Sequence, residues 1–226
     1  MLVPLALLVV LIAAAATFVS YMLWPTWPTT VAELDAPAVP VTVAGVLFNV
    51  PPAAIRAPVQ RYAGAHERID LAFLWPSLAP PSSEAAAAAP VSIEKAALPA
   101  PVSEDRLFVT IAGLGAELAP AERLRSIYPR YFETEATAGP DGLAVLAFRA
   151  GTPYEGEDLI YFAEKPETFF VRCTRTVRTV PGTCVHERLL DAADITLRFP
   201  RQWLQDWRGV AGGFDRLVGL LHPKGE

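Results

Sequence analysis

The hydrophobic and polar positions divide the chain into an uncharged leader and a patterned body. From Leu2 to Trp24 no side chain carries a charge, and the first acid is Glu33. As a helix this stretch measures about 34 Å, against roughly 30 Å of bilayer hydrocarbon. Tyr21, Trp24 and Trp27 fall at its far end, where amphipathic rings favour the headgroup layer. Pro25 and Pro28 then end the helix, because proline has no backbone donor. The pattern predicts a membrane span over residues 1–24. A cleaved signal peptide is the competing reading, with Ala14-Ala15-Ala16 resembling a small-residue cleavage site. Such leaders have a basic stretch and a shorter apolar run, and this one has neither.

A proline-rich spacer at 25–40 leads into the body at 41–222. The run Val41–Val50 (VTVAGVLFNV) reads as one strand closed by Pro51-Pro52. Arg68–Trp75 alternates, with Ile69, Leu71, Phe73 and Trp75 on one face. Residues 79–104 hold nine alanines and five prolines, and form a long insertion in one domain or a joint between two lobes. Strands follow at Leu107–Ile111, Leu143–Phe148, Asp158–Ala163, Thr168–Thr174, Thr183–Leu190 and Ile195–Phe199. A short helix fits Pro120–Tyr128. Short turns between successive strands imply an antiparallel sheet.

The chain closes on an amphipathic helix. Trp203, Trp207, Val210, Phe214, Leu217 and Leu221 recur every three or four positions, with Arg201, Gln205, Arg208 and Asp215 on the other side. Gly209, Gly212 and Gly213 weaken it by about 1 kcal/mol each relative to alanine. Its stripe is expected to cover one face of the sheet. The predicted fold class is thus α+β: a transmembrane helix, then a mainly antiparallel β domain with a C-terminal amphipathic helix packed on the sheet.

Composition changes the picture in two ways. At 52% apolar, disorder is excluded, and a net charge of −5 supplies no field for nucleic acid. The two cysteines, Cys173 and Cys184, fall opposite each other if a hairpin turns near Arg178-Thr179. A structural disulfide there implies an oxidising compartment. This places the amino terminus in the cytoplasm and the body outside the inner membrane, in the periplasm of a Gram-negative cell.

Candidate chemistry is sparse. Gly113-Leu114-Gly115 lacks the third glycine of a dinucleotide loop, since Leu118 takes its place. His66-Glu67 and His186-Glu187 read as exposed polar pairs on sheet edges, and would hold a metal only if both converged. His222 sits at the end of the last helix. Glu133/Glu135 and Glu155/Glu157 have the period-two spacing of paired carboxylates on a strand, a pattern that solvated charge also produces. An acidic run from Glu155 to Glu167 precedes Arg172, Arg175, Arg178 and Arg188, so adjacent strands can pair across the sheet. The sequence names no catalytic set, cofactor or metal site.

The segments VPPAAIRAPVQR…ERIDLAFLWP and TLRFPRQWLQDWRGV, with Arg56, the Trp75-Pro76 step and the final helix, resemble uncharacterised single-span membrane-anchored proteins of alphaproteobacteria. The resemblance implies an envelope location and carries over no functional residue. The expectation is a bitopic protein held in the lipid bilayer through residues 2–24, whose exported domain is an interaction or scaffolding module for an envelope protein. The alternative is an envelope enzyme or small-ligand carrier at the membrane surface.

Overall fold

The computed structural model describes residues 2–22, 32–81, 106–115, 117–133, 135–178 and 180–222. These belong to two units, Met1–Thr30 and Val31–Glu226. In the first, helix α1 runs from Leu2 to Met22. Thr17 donates its hydroxyl to the Ala13 carbonyl at 2.7 Å, one turn back, so that polar group is satisfied within the helix. The side chains described along α1, those of residues 10–22, are exposed. Among the described residues no helix is long and apolar enough to cross a membrane, and Trp24, Trp27 and the start of the spacer lie outside them.

In the second unit the alternating segments form two sheets. The run expected as one strand over 41–50 is a hairpin instead: β1 (Val39–Val43) turns back into β2 (Val46–Val50). Ala44 and Gly45 make the reversal with φ of 50° and 84°, the paired left-handed conformation of a two-residue hairpin turn. Val41 and Val43 on one arm and Val46, Phe48 and Val50 on the other are all buried, so the composition does not change across the turn. A short β3 (Gly64–His66), which the pattern does not reveal, adds parallel to β1.

The larger sheet takes β4 (Arg68–Leu74), β5 (Arg106–Gly113), β6 (Thr137–Ala138), β7 (Leu143–Ala147), β8 (Glu157–Phe162), β9 (Phe170–Thr174), β10 (Thr183–Leu190) and β11 (Ala193–Pro200). Its order is β4-β5-β11-β10-β9-β8-β7-β6, and every neighbouring pair is antiparallel. From β6 to β11 the chain meanders, while β5 closes on the last strand, with Thr110 opposite both Asp70 and Thr196. Most of the Ala/Pro stretch at 79–104 lies outside the described residues.

One face of this sheet is apolar: Leu71, Val109, Leu197 and Val171 join a core with the hairpin valines and helix α3 (Trp207–Leu221). Trp207, Val210, Phe214, Leu217 and Leu221 of α3 are buried, as the three-and-four spacing requires. The helix begins later than its pattern, because Arg201–Asp206 is a tighter 3-10 turn. The Asp206 carboxylate caps α3 by accepting the Gly209 N–H at 3.1 Å. Gly213 is a packing device as well as a weak helix former. A Cβ there would lie 2.5 Å from the Trp75 ring, which stacks on Trp203 at 5.2 Å between centroids. On the opposite face α2 (Pro120–Ser126) leads into a smaller cluster of Tyr128, Phe148, Leu159 and Phe170.

Two glycines of α3 should therefore respond oppositely to alanine. Gly213→Ala forces Trp75 aside and is expected to cost about 1–3 kcal/mol. Gly219→Ala meets no atom within 4 Å and should gain up to about 1 kcal/mol. Denaturant unfolding of the full-length variants checks both.

Candidate functional site

The hairpin of β9 and β10 is braced by a disulfide and by ion pairs. Cys173 and Cys184 are directly opposed, with Cα atoms 4.0 Å apart and Sγ atoms bonded at 2.02 Å. Beyond them Val177 and Val180 exchange backbone hydrogen bonds of 3.2 and 3.0 Å, closing the tip at Arg178, whose φ is 55°. The neck is held by Asp158 of β8, a buried residue that pairs with Arg175 at 2.7 Å and Arg201 at 2.6 Å. Arg201 also donates to the Thr174 carbonyl at 3.2 Å. Gly182 packs so closely that a Cβ would sit 2.3 Å from that same carbonyl oxygen. Covalent bond, ion triad and backbone contact thus fix the base of a hairpin whose tip is bare: Val177 and Val180 are 63% and 66% exposed.

Beside this neck lies a groove of about 410 Å³, between β7 and β8 on one side and the 3-10 turn on the other. Pro140, Val145, Ile160, Pro181 and Leu204 supply its apolar surface, and Thr176, Gln202 and Gln205 line its rim. Among the described residues its lining carries two guanidinium groups, Arg178 and Arg201, and no carboxylate. No feature of the sequence pattern foretold this groove, because its walls come from four separate segments. The cysteine spacing was the one local signal, since it placed the hairpin and its turn.

The other candidates are dispersed. His186 is buried and faces Phe169 and Phe214 rather than lying on an exposed edge. The expectation of an exposed pair fails because β10 is an inner strand, which puts alternate residues against α3. Its Nδ1 donates to the Phe170 carbonyl at 2.8 Å, and burial pushes the imidazole down to about 4. His66 lies in the small sheet, stacked on Tyr62 at 4.1 Å, and Nδ1 of His222 donates to the Leu47 carbonyl at 2.9 Å. Gly113 ends β5, and Gly115 turns with φ of 60°.

The carboxylate pairs do not share strand faces either. Glu133 and Glu135 lie in irregular chain, and Glu155 precedes β8 in a turn, accepting the Gly151 N–H at 2.8 Å. Glu157 instead pairs with Arg172 across β8 and β9 at 2.8 Å, so cross-strand neutralisation accounts for much of the charge run. On the outer face Arg123 of α2 pairs with Glu187 at 3.0 Å. Asp194 nearby is pushed up to about 6, first by burial and then by the negative charge of Glu187.

No protein-family model matches the chain, and neither does any curated protein sequence. Its fold is found among solved structures. An immunity protein of the Stenotrophomonas maltophilia type IV secretion system superposes with a TM-score of 0.53 at 14% identity, over 87% of this chain and 100% of that one. That likeness is one of fold. The iron-regulated outer membrane lipoprotein FrpD of Neisseria meningitidis gives a TM-score of 0.44 at 8% identity, over 84% of this chain and 96% of that one.

Two measurements probe the neck and the core beside it. Reducing Cys173–Cys184 frees a short loop in the unfolded state and should cost about 3 kcal/mol, read as a lower denaturation midpoint with reductant. The unfolded chain protonates a histidine near pH 6.5, whereas folded His186 stays neutral down to about 4. Stability from this group is therefore complete above about 6.5 and lost as the pH falls toward 4. Asp194 acts in the opposite sense, because the folded state keeps its proton up to about 6. Comparison with His186→Phe isolates the histidine: between pH 7 and 4 the stability difference should move in the variant's favour by about 3 kcal/mol.

Proposed function

We propose that the chain is a single-span protein of the cell envelope whose folded unit binds another protein. The observation that carries this reading is the bare tip of the braced hairpin. Val177 and Val180 are more than three-fifths exposed at the tip, and an open groove borders the neck of the same hairpin. Rigid presentation of apolar surface, rimmed by arginine and glutamine, suits a protein interface. The shared fold supports the same reading, since the protein superposed over its whole length is an immunity protein of a secretion system.

Anchoring is read from the uncharged stretch Leu2 to Trp24 of the sequence, with Thr17 satisfying its hydroxyl internally, although no described helix is by itself long and apolar enough to cross a membrane. The resemblance to single-span alphaproteobacterial proteins agrees with it. The disulfide favours an oxidising compartment, hence an amino terminus in the cytoplasm and a folded unit in the periplasm.

Three outcomes are expected. Alkaline carbonate leaves the intact chain in the membrane pellet, and release into the wash would refute the anchor. Alkaline phosphatase fused at the carboxyl end is active, and an inactive fusion would reverse the orientation. Crosslinking in native membranes followed by mild solubilisation yields a defined heteromeric species, and a chain that stays solitary in all conditions would refute the binding role.

A further inference from the structure

We propose that the contact of α2 with the outer face of the large sheet is a proton-operated latch. Asp194 and Glu187 compete there for one guanidinium, that of Arg123, and a proton on Asp194 closes the contact. Glu187 of β10 stands opposite Thr196 of β11, so Asp194, two residues earlier, lies diagonally beside it on the same face. Arg123 reaches down from α2 and places Nη2 3.0 Å from Glu187 Oε1, with side chains only 16% and 10% exposed. The polar groups do not balance. Asp194 keeps Oδ1 buried without a hydrogen-bond partner, and Arg123 keeps Nε in the same condition. The other groups facing Asp194 do not correct this. Glu117, from the chain before α2, adds negative charge, Thr196 donates a hydrogen bond, and β5 brings Ala112 opposite it. Tyr128, just past α2, is pushed up to about 12 by burial and stays neutral. Arg172 of β9 is committed to Glu157, and Glu122 and Arg125 of α2 are exposed to water. With Asp194 ionised, two carboxylates share one guanidinium, and the surplus charge is cut off from most water. Protonation removes that surplus, and the proton is held up to about 6, first because of burial and then because of Glu187. Little else fastens α2. It has seven residues, of which Pro120 alone is buried, with Leu124 partly buried against the aromatic cluster. Lifting α2 returns Asp194 to water, where it gives up its proton more readily, so the latch is closed in mild acid and loosened at neutral pH.

The test is amide hydrogen exchange of the full-length protein in phosphatidylcholine nanodiscs, read by mass spectrometry at pH 5.0 and 7.5 and corrected for intrinsic rates. A carboxyl that titrates at about 6 under closed α2, and at its ordinary 3.8 once α2 has lifted, changes the closing constant about tenfold between these pH values. Protection of the α2 amides is therefore expected to be about tenfold higher at pH 5.0. Asp194→Asn cannot ionise and should keep the acid level of protection at both pH values. Glu187→Gln leaves Arg123 to Asp194 alone and should also abolish the difference. The amides of α3 report on the whole fold, and their protection should show neither the pH step nor an effect of either variant. Equal protection of α2 at the two pH values in the unmutated chain, or stronger protection at pH 7.5, would overturn the proposal. So would an undiminished pH step in Asp194→Asn, or a step of the same size in α3.

Discussion

One apolar contact organises the folded unit: the inner face of the eight-stranded sheet against α3 and the β1–β2 hairpin. β4, β5, β7, β8, β9, β10 and β11 each contribute buried residues to it, the exposed two-residue β6 does not, and α3 contributes a single stripe. Because both surfaces are fixed, the local exceptions become intelligible. Gly213 exists where the Trp75 ring must approach the helix backbone, and His186 is held neutral where an inner strand places it under Phe214. The reversal at Ala44-Gly45 lets one apolar run supply two strands to the same core.

This constraint also decides what the sequence could disclose. Strand positions were legible wherever one face is buried and the other is not, as in Arg68–Leu74 and Thr183–Leu190, because burial imposes a period of two. The cysteine spacing located the hairpin, since a two-residue turn leaves Cys173 and Cys184 in register. The β1–β2 turn was hidden because buried residues flank it on both sides and no polar position marks it. β3 was hidden because three residues cannot display a period. His186 was misread because a histidine on an inner strand and one on an edge look alike until the strand order is known. The groove depends on segments distant in sequence, and no local pattern records their meeting.

The two faces of the sheet divide the work. The inner face is closed by α3, and the outer face is partly covered by α2 and its aromatic cluster. The β9–β10 hairpin keeps Val177 and Val180 exposed, covered by neither layer. Its rigidity comes from Asp158, which brings a carboxylate from β8 to two guanidiniums on separate elements. A stiff neck with a bare tip fits a surface that meets its partner without rearranging first.

The strand order has a consequence for how the molecule comes into being. β5 is hydrogen-bonded along one side to β4 and along the other to β11, whose paired residues stand 80 to 90 positions later in the chain. Vectorial delivery from the amino terminus therefore presents β4 and β5 as a pair with an open edge until the final strand emerges. Such a nonlocal closure is slow and leaves a template for aggregation while it waits. The emerging polypeptide needs shielding at that edge until residues 193–200 arrive.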